Sequence, residues 1–280
     1  MIDTRNLAEI EKVFYATYDL FAQADTALSL THHGKNLKLI KQMMIFYLNS
    51  LSSKKISEKD KFANFKQLRT DAESYIIYCE KKYGYLFRSK VPKAQINNKK
   101  FLECMKDIKN FSQSIADFIV FRQSLTKEEK KKIAAVNLKK RLKYYFDFDN
   151  YTLIDQIISQ FYSKDNLISI PKQVLIEFHN FMSHICSAYT TKDTIIQNKN
   201  IERAKNHLYR GSLDLYKIII KDYFICNEVV NKNCIKMLFD IRLKEYCGLG
   251  DGCLQNDILE EFKELNQNFN PIHKITHSTP

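Results

Sequence analysis

Glycine occurs six times and proline four times in this chain of 280 residues. That scarcity constrains the fold more than any other feature. Tight turns draw on the left-handed backbone of glycine or Asn-Gly, or on the fixed φ of proline. A sheet protein of this length needs many such turns. The expectation is therefore an all-α fold, a multi-helix bundle of long helices joined by few loops. Dinucleotide-binding and P-loop folds lose ground for the same reason, since both cluster glycines between a strand and a helix. Hydrophobic residues at 45% and charged residues at 27% fall in the globular range, which excludes wholesale disorder.

Apolar residues recurring at helical spacing, with polar breaks between them, predict helices over 3–33, 36–51, 57–83 and 98–124. Thr126 and Glu129 have the spacing of a capping box, which starts a fifth helix. A short helix is expected at 153–162, and further helices at 171–188, 201–230, 233–246 and 254–268. The chain divides on texture into a helical packing or partner module (1–125), a basic helix with an aromatic connector (126–170) and a second helical region (171–270). CGLGDGC, at 247–253, holds three of the six glycines and reads as a turn.

Lys and Arg total 44 and Asp and Glu 32, a net charge of +12. Such an excess favours polyanionic partners: RNA, DNA, a nucleotide or an acidic protein. A lysine-rich protein from an AT-rich genome would show the same balance. The charge concentrates at Lys131, Lys139, Lys140, Arg141 and Lys143, directly before Tyr144, Tyr145 and Phe146. Basic residues beside aromatic ones suit RNA, as charges meet phosphates and rings stack on bases. The alternative is a solvated helix face with Leu138 and Leu142 turned inward.

The seven cysteines are odd in number and scattered, which fits a reducing, cytoplasmic setting. MIDTRNLAEIEKVF has no basic start followed by an apolar stretch, so no signal peptide is expected. No apolar run reaches the ~18 residues of a membrane helix, so no membrane partner is expected. His179, His184, Cys186 and His207 lack the short paired spacing of zinc ligands, and neither a metal nor another cofactor is expected.

Two segments carry polar residues where a packing helix would not. In EFHNFMSHICSAY, Glu177, Asn180, His184 and Ser187 follow at offsets of 3, 4 and 3 and share one helix face. In NIERAKNHLYRGSLDLYK, Arg203, His207, Arg210, Asp214 and Lys217 follow at offsets of 4, 3, 4 and 3. Arginine and histidine together can bind a phosphate and move a proton near neutral pH. An interhelical salt-bridge network would use the same residues for packing alone.

The run His179-Asn180-Phe181-Met182-Ser183-His184 resembles the signature of the HEPN superfamily: Arg, a polar residue that is often Asn, three further residues, then His. The resemblance covers about 171–246. It implies a helical bundle, frequent dimerisation, so that a homodimer is one candidate assembly, and often metal-independent RNA cleavage. In that chemistry a 2′-hydroxyl attacks the adjacent phosphate and leaves a cyclic phosphate. The resemblance makes His184 the general acid or base and Asn180 the residue that orients it or the phosphate. Here His179 stands where the signature has Arg. Either a protonated His179 or Arg203 and Arg210 would then hold phosphate, with His207 as a second proton carrier and Glu177, Asp214 and Lys217 in support. Many such proteins are toxins or antiviral-defence components. The expected function is RNA binding, with endoribonuclease activity implied by the resemblance. The alternative is a non-enzymatic helical adaptor or a nucleotide-sensing regulatory subunit.

Overall fold

A computed structural model describes residues 4–28, 37–51, 58–91, 99–143, 170–227, 231–248 and 255–269. All regular structure among them is α-helix. The order is α1 (Thr4–Leu28), α2 (Leu37–Leu51), α3 (Glu58–Tyr83), α4 (Lys99–Ser124), α5 (Lys127–Lys143), α6 (Lys172–Thr190), α7 (Thr194–Cys226), α8 (Lys232–Cys247) and α9 (Gln255–Phe269). The expected helix at 153–162, the glycines of the 247–253 turn beyond Gly248 and the chain after Pro271 lie outside the described residues. No described helix is long and apolar enough to cross a membrane.

Local chemistry sets the helix ends. The expected capping box at the start of α5 is formed: Thr126 N donates to Glu129 Oε2 (2.7 Å) and Glu129 N to Thr126 Oγ1 (3.2 Å). Gly84, at φ 67°, ends α3, and its N–H returns to Glu80 O at 2.9 Å. Helix α7 starts at Thr194, not at 201. Asp193 Oδ1 accepts from Ile195 N (2.8 Å) and Ile196 N (3.2 Å), which satisfies two of the orphan N–H groups of the first turn. Ile195 and Ile196 are exposed and the first buried residue is Ile201. The apolar periodicity therefore begins about two turns after the helix does. The same helix ends at Cys226, short of the expected 230.

The chain forms two compact units. One comprises Met1–Ser112 with Ile170–Gly211, the other Gln113–Ser169 with Ser212–Pro280. In the first, α1 and α2 each pack on α3 and on α6. Helix α6 buries Val174, Leu175, Phe178, Phe181, Met182 and Ile185, among others, so most of its circumference is enclosed. Its rings meet those of neighbouring helices: Phe178 stacks on Phe111 (6.4 Å, 9°) and tilts against Tyr47 (6.0 Å). In the second unit α8 packs on α9, and Phe118, Ile133, Tyr216 and Phe262 are fully buried. There Tyr216 Oη donates to Asp117 Oδ2 at 3.0 Å, and Arg122 pairs with the buried Asp222 at 2.7 Å. Burial pushes the Asp222 carboxyl up, and Arg122 opposes that shift.

Candidate functional site

The polar face of α6 and the start of the α7 stripe meet within the first unit. Glu177 is buried, and its carboxylate is satisfied from both helices. His207 Nδ1 lies 2.6 Å from Oε2, Gln173 Nε2 donates to Oε1 at 3.0 Å, and Arg210 Nε sits 4.0 Å from Oε2. Arg210 also comes within 3.4 Å of His207 Nδ1. The 2.6 Å contact decides the role of that nitrogen. It carries the proton and donates to Glu177, and the guanidinium follows the carboxylate's charge. Nε2 is thereby the nitrogen of His207 available for other chemistry.

His184 lies one ring away. The two imidazoles are 5.2 Å apart between centroids, with 20° between their planes. His184 Nδ1 is 3.0 Å from Asn200 Oδ1. The amide of Asn200 is itself oriented, because its Nδ2 donates to Ile196 O at 3.1 Å. The oxygen must then face His184, so Nδ1 is the donor and Nε2 carries the lone pair. Burial pushes the His184 pKa below its ordinary 6.5. The Asn200 bond opposes this, and the charges of His207, Arg203 and Arg210 add to it. The shift favours the neutral imidazole of His184, with its lone pair on Nε2. Arg203 and Arg210 are both exposed. Asn180, half-buried, shares the face of Glu177 and His184 one turn before His184.

Beside this cluster a glycine lets α7 lie close against Phe111 of α4. A Cβ on Gly211 of α7 would stand 2.6 Å from Phe111 Cε2 and 3.4 Å from Glu177 Cβ. Gly211 follows Arg210 directly, so the close approach is made beside the carboxylate that the cluster shares.

His179 is not in this cluster. From Glu177 to His179 is a turn of about 200°, which puts them on opposite sides of the helix. His179 faces α1, where Tyr18 Oη lies 2.9 Å from Nδ1 and Asp25 Oδ2 lies 3.3 Å from Nε2. Burial holds the Tyr18 phenol well above its ordinary pKa, so it remains a donor to Nδ1, and Nε2–H donates to Asp25. Asp214 and Lys217 belong to the other unit, where Lys217 Nζ donates to Glu245 Oε1 at 2.6 Å. Of the basic patch, Lys131 pairs with Glu128 at 3.3 Å on an exposed face. The side chains of Lys139, Lys140, Arg141 and Lys143 lie outside the described residues.

Asn200, Gln173 and Gly211 belong to the cluster as well, although none is among the stripe residues. Asn200 stands three residues before Arg203, and Gln173 four before Glu177, so both continue the spacing of their stripes. Among the described residues no group of three or more His, Cys, Asp or Glu side chains is arranged to hold a metal. No protein-family model, no curated protein and no solved structure matches this chain.

Proposed function

We propose that this protein binds RNA and cleaves it by metal-independent acid–base chemistry at His184 and His207. The observation that carries this reading is the stacked pair itself: two oriented imidazoles, one of them favoured in its neutral form by burial, with two exposed arginines beside them. His184 Nε2 takes the proton of a ribose 2′-hydroxyl. O2′ then attacks the adjacent phosphorus, the P–O5′ bond breaks, and a 2′,3′-cyclic phosphate is left. The departing O5′ takes a proton from Nε2 of His207 in its protonated form. Arg203 and Arg210 hold the phosphate oxygens on which charge develops. Glu177 and Asn200 are positioning residues, each fixing the Nδ1 side of one ring.

The arginines supply here the cation that the HEPN signature carries at the position of His179. By that resemblance, an RNA-cleaving activity belongs to a toxin or antiviral-defence setting. The test is incubation of the wild type and His184→Ala with a dinucleotide and with total RNA in EDTA. Cleavage to cyclic-phosphate ends by the wild type, lost in a folded His184→Ala protein, is the expected result. Equal cleavage by both, or none by the wild type, would overturn the reading.

A further inference from the structure

The end of α3 and the segment after it present rings where a helix end would normally be polar. Tyr78, Tyr83 and Tyr85 are 47%, 43% and 62% exposed, and Leu86 is 68% exposed. Lys82 Nζ donates to Tyr78 Oη at 3.1 Å and lies 5.5 Å from the centre of the Tyr78 ring and 5.4 Å from that of Tyr83, so one cation ties the two side chains together. Across the turn at Gly84, the rings of Tyr85 and Phe87 meet at 5.0 Å.

Two acids hold this exposed segment in place. Phe87 N donates to Glu80 Oε1 at 3.0 Å. Ser89 Oγ and Lys90 N both donate to Oδ2 of the buried Asp19, at 2.9 and 3.0 Å. Gln23 Nε2, which is bonded to the same Asp19 oxygen at 3.1 Å, also donates to Arg88 O at 3.3 Å. The two carboxylates thus accept from the loop's own donors and keep their negative charge, while Lys82, Arg88 and Lys90 are exposed. Rings ordered in advance lose little freedom on stacking, and the exposed charged residues of 78–91, Lys81, Lys82, Arg88 and Lys90, are all cationic.

We propose that Tyr78, Tyr83 and Tyr85, with Lys82, Arg88 and Lys90, form a platform for single-stranded nucleic acid. Bases stack on the rings and backbone phosphates meet the cations. A duplex buries its base faces and cannot use the rings, so single strands are preferred. The proposal rests on the RNA reading above only in its class of partner; it does not depend on the histidine pair.

The test is fluorescence anisotropy of the full chain with a short labelled oligouridylate and with a duplex of equal length. Binding is measured in the His184→Ala background so that cleavage cannot imitate lost affinity. The expected result is preference for the single strand and a loss on the order of tenfold or more in Tyr83→Ala/Tyr85→Ala. Circular dichroism of the same variant should be unchanged. Arg88→Gln/Lys90→Gln should flatten the dependence of affinity on salt, by about 0.7 in log–log slope for each phosphate that is no longer neutralised. Equal binding of strand and duplex, or ring variants that bind like their parent, overturns the platform. So does a chain that binds no oligonucleotide, with the rings instead needed for an acidic protein. Dinucleotide cleavage separates this proposal from the nuclease reading. A dinucleotide is too short to need the platform, so the ring variants should still cleave it. If cleavage fails while anisotropy holds, only the nuclease reading falls.

Discussion

His184 and His207 stack at 5.2 Å, yet each ring is held by a different kind of partner, an amide on Asn200 and a carboxylate on Glu177. The amide oxygen of Asn200 favours the His184 imidazolium, but burial works against it more strongly. The two rings, drawn from facing helices, are therefore chemically unlike.

This difference has a measurable consequence in pH. The His184 pKa is lowered from 6.5 by burial first, so the folded state resists protonating it. Below about 6.5 the unfolded chain binds a proton that the native ring refuses. The ring's contribution to stability is therefore full above that pH and is lost as pH falls through the lowered folded value. Histidine NMR titration should show His184 with its midpoint below 6.5. Urea denaturation of His184→Gln should lose part of the wild type's decline in stability on the acid side.

Asn200→Asp changes the partner's charge and little of its shape. A carboxylate at Nδ1 favours the imidazolium, so the His184 pKa should rise. In the cleavage assay the acid limb of the pH profile should move up with it, because a base must be deprotonated to act. Asn200→Leu should lower the rate without the upward movement. A purely structural Asn200 would shift stability in both variants and the pH profile in neither.

Gly211→Ala sets two effects against each other. Alanine is favoured over glycine in a helix by about 1 kcal/mol. The new methyl, however, would lie 2.6 Å from Phe111, a fully buried ring stacked on Phe178. Overpacking of this kind costs about 1–3 kcal/mol. The clash should win, with lower thermal stability for Gly211→Ala. Partial recovery is expected in Gly211→Ala/Phe111→Leu, where a smaller side chain leaves room.

His179→Ala should separate from His184→Ala. His179 joins α1 to α6 through Tyr18 and Asp25, at 2.9 and 3.3 Å. Removing it leaves a fully buried tyrosine hydroxyl without that acceptor, a loss of about 1–3 kcal/mol. Stability should fall in denaturation, and dinucleotide cleavage by the folded fraction should not. Tyr18→Phe should lose less than His179→Ala, since it removes only one of the two bonds.

Much of the fold was legible because helix chemistry is local. The capping box of Thr126 and Glu129 could be read three residues apart, and it forms as read. The early start of α7 was missed for a physical reason. TTKD marks both a break and a cap, and the first turn after Asp193 buries nothing, so no periodicity announces it. Within the site, spacing alone put Glu177, Asn180 and His184 on one face. The same arithmetic sets His179 on the other side, a consequence the match to a linear signature obscures.

By itself, then, the sequence determined a helical chain, where several of its helices begin and end, and which side chains share a face. These follow from hydrogen bonds and packing within one or two turns. Only the tertiary structure decided which faces meet. It brings Asn200 to His184, His207 to Glu177, and Tyr18 to His179 across 161 residues of chain. Those pairings depend on ring shapes, on how neighbouring helices pack, and on the need to satisfy each buried polar group. No short-range pattern along the chain encodes them.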